Sequence, residues 1–192
     1  MLGCGVLGVT MNSPGGMGRR RFLGIVGAAT LTGLAFPAEA ARRLVRPRQL
    51  SFHNLHTGER LNAVYWADGR YLPDAMRHID WLLRDFRTDQ SRAIDPQLLD
   101  LLADLHGRLQ THEPFHVISG YRSPQTNAML ASLGDGVAQN SLHLEGKAID
   151  IRVPGRRLRS VRAVALALRR GGVGYYPHSD FVHIDTGRIR HW

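Results

Sequence analysis

The residues best suited to chemistry lie in two short motifs in the last third of the chain. In the first motif His143 precedes Asp150 by seven positions, and a glycine between them lets the chain turn. In the second motif, strand alternation places Phe181, His183 and Asp185 on one face. Two imidazoles and one carboxylate would make a three-ligand zinc site with a fourth position for water, which is the catalytic pattern. From the spacing alone, the alternative that His143 and Asp150 only form a hydrogen bond stays open.

The composition is that of a globular protein that suits an anionic partner. Of the 192 residues, 43% are apolar and 21% are charged, and the length favours one domain. The net charge is +9, with 24 arginines and a single lysine, which suits nucleic acid or an acidic polymer such as the cell wall. The single cysteine, Cys4, excludes an intrachain disulfide framework and any cysteine-rich zinc or iron–sulfur site.

The first 40 residues have the pattern of an export signal. Arg19–Arg21 precede an apolar stretch of 15 residues, 22–36, which is followed by the small-x-small sequence Ala38-Glu39-Ala40. That stretch is shorter than the ~20 residues of a membrane span, and the arrangement resembles a twin-arginine signal. We expect cleavage near Ala40 and a periplasmic mature protein without a stable membrane span. The alternative is an uncleaved N-terminal anchor.

The elements that position the two motifs are predicted from hydrophobic periodicity, caps and turn signals. After a basic tether at 41–49, the folded domain is expected over 50–192. Its predicted elements are a β-hairpin with an additional short strand over 50–71, helices beginning at 73 and 95, a strand at 115–119, a helix from 123 to about 134, a strand at 147–153, a helix at 158–170, and strands at 173–176 and 181–185. The predicted fold class is α+β, a single domain in which helices pack against a small antiparallel sheet that carries the zinc site.

Six further histidines lie on the hairpin or on scaffold elements, without an acid at ligand spacing. They are His53, His56, His78, His106, His112 and His116. We expect ordinary polar or partly buried side chains at these positions.

Several motifs occur in the order found in the YcbK-like (MepK-like) murein endopeptidases and resemble that family. They are Ser119-Gly120-Tyr121-Arg122-Ser123, the Ser-x-His-x-x-Gly-x-Ala-x-Asp sequence from 141 to 150, Gly172-Val173-Gly174-Tyr175-Tyr176-Pro177, the Phe-Val-His-Ile-Asp-Thr-Gly sequence from 181 to 187, Leu-His-Thr-Gly-Glu at 55–59 and the final His191-Trp192. The family belongs to a zinc peptidase superfamily with D-Ala-D-Ala carboxypeptidases, VanX-type dipeptidases and the hedgehog signalling domain. The resemblance implies a hedgehog/DD-peptidase-like fold, one zinc ion held by His143, Asp150 and His183, and cross-linked peptidoglycan as the substrate.

The resemblance also assigns roles around the metal. Arg122 matches the superfamily arginine that engages the substrate carbonyl or carboxylate, which suits a planar, permanently charged guanidinium. The alternative for Arg122 is a structural salt bridge. We expect Ser141 to brace the loop of the first metal histidine or to contact substrate.

Three residues are candidates for proton transfer. Asp180 lies three positions before the last metal histidine, where several branches of the superfamily carry an acidic residue. Asp185 is its rival as the base, although it could instead orient a ligand imidazole. His178, in the predicted turn, could donate a proton to the leaving amine.

The predicted function is a zinc-dependent murein endopeptidase that hydrolyses peptide cross-links of peptidoglycan in the periplasm. The alternatives are a D,D- or L,D-carboxypeptidase that trims stem peptides, and a non-catalytic wall-binding module with structural zinc. Nucleic acid is not an expected partner, because the leader resembles an export signal and the chain lacks an aromatic-plus-basic readout motif.

Overall fold

The computed structural model describes residues 46–133 and 138–192. The predicted export signal and its cleavage position lie outside the described residues. Within these two ranges, no helix combines the length and the apolar character that a membrane span needs. The described residues form one α+β domain, which confirms the predicted fold class.

Eight strands form one sheet in the order β3-β2-β1-β4-β5-β7-β6-β8. The strands are β1 (Arg48–Asn54), β2 (Arg60–Ala67), β3 (Arg70–Tyr71), β4 (Phe115–Ser119), β5 (Ala148–Arg152), β6 (Gly172–Tyr176), β7 (Phe181–Asp185) and β8 (Arg190–His191). β1 begins at Arg48, so the last two residues of the predicted tether belong to the sheet.

The sheet is larger than the small antiparallel sheet that the sequence predicted, and it is mixed. β1 pairs with β4 in parallel, and so does β6 with β8, whereas the other neighbouring pairs are antiparallel. The parallel β1–β4 pair requires a crossover connection, and the helices between β3 and β4 supply it. The N-terminal hairpin therefore extends the sheet that carries the candidate site.

In the described ranges, four α-helices and one 3₁₀ helix accompany the sheet. They are α1 (Pro73–Leu82), α2 (Pro96–Leu109), α3 (Pro124–Ser132), the 3₁₀ helix (Leu142–Glu145) and α4 (Leu158–Leu168). Proline occupies the first turn of α1, α2 and α3, where its missing N–H costs no hydrogen bond. The Asp95 and Ser123 side chains cap α2 and α3 by accepting from backbone N–H groups of their first turns. These local signals explain why the helix starts were predictable.

The core lies between α2 and the sheet. α2 buries a leucine stripe, and the largest fully buried side chains of the sheet include Tyr65, Phe52 and Phe115. Each buried side chain of this size contributes about 1.5–3 kcal/mol relative to an exposed one, so the core holds β4 and β5 firmly. Those two strands contribute residues to the candidate site.

Two glycines permit close approaches beside the site. A Cβ on Gly120, after β4, would lie 2.5 Å from the backbone oxygen of Leu83. Gly146 ends the 3₁₀ helix with φ +70°, and a Cβ there would lie 2.4 Å from the backbone oxygen of Ala93. These approaches lock the segments before and after His143 against the loop that follows α1.

Candidate metal centre

The structure brings His143, Asp150 and His183 together. His143 lies on the 3₁₀ helix, whereas Asp150 on β5 and His183 on β7 are direct cross-strand partners. The Asp150 Oδ1 atom lies 2.8 Å from His183 Nδ1 and 3.3 Å from His143 Nε2, and the two imidazole nitrogens are 3.2 Å apart. All three side chains are buried. The group can therefore hold a metal ion.

The second nitrogen of each imidazole already has an acceptor. His143 Nδ1 lies 2.7 Å from the Gly120 carbonyl oxygen, and His183 Nε2 lies 3.0 Å from Asp185 Oδ2. A proton on each of these nitrogens leaves the lone pair of the other nitrogen facing the cluster, which is the tautomer that a metal requires. Ligand atoms at about 2.0–2.2 Å from one tetrahedral ion lie roughly 3.4 Å apart, close to the spacing observed here. The donor set fits a metal.

Two carboxylates hold the His183 imidazole between them. Burial alone would lower the pKa of His183, but the hydrogen bonds with Asp150 and Asp185 outweigh it and raise the pKa to about 9. Burial opposes the ionised form of Asp150 as well, yet the two histidines hold the pKa of that carboxyl well below its usual range. Asp150 is thus ionised and lies between the two imidazoles.

Asp185 lies on the far side of His183 from Asp150 and is completely buried. Its Oδ1 accepts from the N–H groups of Gly172 and Gly187 and from Arg190, at 3.0, 2.8 and 3.0 Å. Its Oδ2 accepts from Arg190 at 2.7 Å and faces His183 Nε2 at 3.0 Å. Because both oxygens are fully engaged, the arrangement favours orientation of the imidazole over proton transfer by Asp185.

Arg190 is part of this network although no motif in the sequence marks it. Its two terminal nitrogens hold both oxygens of Asp185, a bidentate pair. The only signal in the sequence was a cation five positions after the aspartate, across the turn into β8. Such a spacing is too common to identify a pair without the fold.

Arg122 lies beside the His143–Asp150–His183 cluster with most of its donors unused. It is 9% exposed, and its Nη2 atom lies 3.7 Å from Asp150 Oδ2. Its contacts with the side chains of Ser119 and Asn127 are long, at 3.5 Å each. Its buried Nε has no hydrogen-bond partner among the described residues. A buried guanidinium with unsatisfied donors is suited to an anionic or carbonyl group of a ligand.

The other candidate residues lie in different surroundings. Ser141 caps the 3₁₀ helix by accepting from the His143 N–H, at 3.4 Å, and also lines the cleft. Asp180 is exposed, and its carboxylate accepts from Arg152 at 2.7 Å. His178 is exposed in the turn before β7. The structure does not bring Asp180 or His178 to the three ligand side chains, and neither lines the cleft.

His143, Asp150 and His183 line a cleft of about 850 Å³. One wall is aromatic: the Trp192 Nε1 donates to Tyr176 Oη at 2.7 Å, and the Trp192 ring lies 5.2 Å from the ring of His183. His56 and Arg87 contribute to the lining elsewhere. Among the described lining residues, Asp150 is the only aspartate or glutamate, whereas Arg87, Arg122 and Arg190 are cations.

Known proteins similar in sequence to this chain indicate one family. The profile of the family described as peptidoglycan L,D-endopeptidase MepK matches residues 42–192. The chain belongs to the peptidoglycan L,D-endopeptidase MepK family. It is 45% identical over 175 residues to the Escherichia coli K12 protein of that name, covering 91% of this chain and 96% of the relative. A Haemophilus influenzae relative, named a probable peptidoglycan L,D-endopeptidase MepK, is 40% identical over 178 residues, covering 91% and 95%.

Membership of the MepK family confirms the resemblance drawn from the motifs. The matched range contains every residue of the buried cluster and of the cleft.

Proposed function

We propose that this protein is a zinc-dependent murein endopeptidase that hydrolyses peptide cross-links of peptidoglycan. The observation that carries the proposal is the convergence of two imidazoles and one carboxylate in a cleft beside Arg122, in a chain of the MepK family. The printed names of the relatives specify an L,D-endopeptidase. We therefore assign the diaminopimelate–diaminopimelate cross-link as the bond that is cut.

His143, Asp150 and His183 would hold the zinc ion. Three protein ligands leave a position for water, and bound zinc supplies a water of pKa about 7 together with Lewis acidity toward a carbonyl oxygen. The protein orients both imidazoles through the Gly120 carbonyl and Asp185, so the rings keep their orientation when the metal displaces the proton on His183 Nδ1. This preorganisation supports a catalytic rather than an incidental site.

Arg122 is proposed to bind the carbonyl oxygen or a carboxylate of the substrate. Its guanidinium is buried, lies 3.7 Å from Asp150 and has unused donors. As negative charge develops on the carbonyl oxygen, a permanent positive charge in a partly dehydrated cleft stabilises it more than water would. Ser141 lines the cleft and supports the loop of His143 by accepting from the His143 N–H.

The location of the substrate implies that the protein acts outside the cytoplasm, and we propose the periplasm. The support for export is the leader sequence, in which Arg19–Arg21 precede a short apolar stretch. We propose the twin-arginine route and cleavage near Ala40, with the zinc peptidase domain over 50–192. The intact mass of protein recovered from the periplasm tests this, since retention of 22–36 would contradict cleavage.

Digestion of purified sacculi tests the proposed activity. The wild-type protein and the Asp150→Asn variant are incubated with sacculi, with and without a chelator, and the muropeptides are separated. We expect loss of cross-linked dimers with the wild-type protein alone. Loss of terminal D-Ala with dimers intact would identify a carboxypeptidase instead. No change in any muropeptide would identify a non-catalytic wall-binding module.

A further inference from the structure

Arg87 is a second cation in the lining of the cleft, and a stack of side chains positions it. Its guanidinium carbon lies 4.2 Å from the centroid of the Phe86 ring. The Phe86 ring itself stacks on the His56 ring, with centroids 3.9 Å apart and an interplanar angle of 10°. Arg87 and His56 both line the cleft. The stack restricts the guanidinium to this part of the cleft.

Arg87 has no counter-ion in the part of the chain that the structure describes. No carboxylate oxygen there lies within 4.0 Å of its guanidinium nitrogens. Arg84, three positions earlier, is paired with both Glu59 and Asp89, at 2.7 and 3.0 Å. The nearby acids Glu59 and Asp89 therefore pair with Arg84, and no acid among the described residues pairs with Arg87, which lines the cleft.

One buried carboxylate fixes the backbone at Arg87 and at the residue after Arg122. Asp85 is 2% exposed and accepts from the Arg87 N–H at 3.0 Å. It also accepts from the N–H and the hydroxyl of Ser123, at 2.9 and 2.6 Å, and Ser123 directly follows Arg122.

Arg87, which faces no acid among the described residues, and Arg122, whose Nη2 lies 3.7 Å from Asp150, are suited to bind negative charge on a ligand. Cross-linked stem peptides carry free carboxylates next to the scissile amide, whereas a neutral peptide offers only its carbonyl. Arg122 lies close to Asp150 and thus to the reacting centre. Arg87 is exposed, so it can receive a carboxylate that lies farther along the substrate.

We propose that Arg87, together with Arg122, forms a carboxylate-binding subsite of the cleft, in which Arg87 selects peptides that carry a free carboxylate near the scissile amide. This inference rests on the proposed endopeptidase function and extends it to substrate selection. In this role Arg87 is a specificity-determining residue that binds the substrate without taking part in the bond cleavage.

Paired substrates test the subsite. The zinc-loaded protein is assayed with a cross-linked muropeptide dimer and with the same dimer amidated at its diaminopimelate carboxyls. Arg87→Gln should raise KM for the free dimer about tenfold, with kcat within about twofold, and leave the amidated dimer unaffected. Arg77→Gln is the matched control, because Arg77 is an exposed arginine that pairs with Asp74 and does not line the cleft. Arg77→Gln should leave KM and kcat unchanged for both dimers.

Two outcomes overturn the proposal: an unchanged KM for the free dimer, or equal changes for both dimers. Measuring the Kd of both dimers by calorimetry distinguishes failure of the subsite proposal from failure of the proposed endopeptidase function. If the wild-type protein binds the free dimer more tightly but cuts neither, and Arg87→Gln abolishes that preference, the subsite stands and the endopeptidase assignment fails. If wild-type protein and variant bind both dimers equally, the subsite is refuted.

Discussion

Replacing Asp185 by asparagine removes one charge from the network behind the candidate metal centre. The carboxylate is completely buried and has two cationic neighbours, His183 and Arg190. Asparagine has nearly the same shape, so the substitution changes hydrogen bonding and charge without leaving a cavity. The variant therefore reports what the carboxylate contributes to the fold and to the metal ligand.

The expected losses of stability and zinc affinity follow from the contacts of each Asp185 oxygen. Oδ1 accepts three hydrogen bonds, and Oδ2 accepts from Arg190 and His183. An asparagine NH₂ group at either position therefore opposes at least two donors. Breaking one side of a buried ion pair costs about 3–5 kcal/mol, and loss of an orienting partner weakens metal binding by about 10–100-fold. We expect Asp185→Asn to lose both stability and zinc affinity by amounts in these ranges.

Urea unfolding with chelator present measures the first effect, and zinc titration against a competing chelator measures the second. Asp104→Asn is the control, because Asp104 is a half-exposed carboxylate that pairs with Arg170 far from the ligands in sequence. It should change stability by about 1 kcal/mol or less. If Asp185→Asn keeps wild-type stability and zinc affinity but loses turnover, Asp185 is the general base and the orienting role is refuted.

Three further predictions concern other parts of the domain. Burial raises the pKa of Asp85, but hydrogen bonds from Ser123 outweigh it and hold the pKa below its usual value; this stabilisation is present above about pH 4 and lost at lower pH. The stability difference between wild-type protein and Asp85→Asn, measured by urea unfolding, should therefore shrink as the pH falls below about 4, and a constant difference would contradict it. A Cβ at Gly171 would lie 1.7 Å from the backbone oxygen of Asp185, so Gly171→Ala should cost more than about 2 kcal/mol in unfolding free energy; a wild-type melting curve would refute this. Asp180→Asn should keep turnover within a few-fold because this carboxylate is exposed and outside the cleft, whereas a loss of about 10²–10⁴-fold would make it the base.

The helices could be predicted from the sequence because their signals are local. Caps and prolines at 95–96 and 123–124 mark helix starts within a residue or two, and periodic leucines mark the buried face of α2. The juxtaposition of Asp150 and His183 could also be anticipated, because each lies on a strand whose alternation fixes its face.

Other features depend on contacts between distant segments and could not be predicted. The parallel β1–β4 pair joins strands about 60 positions apart, and no short-range pattern specifies it. The pairing of Arg190 with Asp185 requires β8 to lie along β6. Asp180 was a candidate because of its spacing from a ligand, but its φ of +53° and its contact with an arginine could be known only from the structure.

Zinc titration of the chelator-stripped protein tests the central claim most directly, with cleavage of a cross-linked muropeptide dimer as the readout. If His143, Asp150 and His183 hold the one metal ion that the reaction needs, cleavage should be absent at the start. It should then rise in proportion to added zinc and reach its plateau at one equivalent per chain. Full cleavage by the stripped protein in the continued presence of chelator would contradict the account.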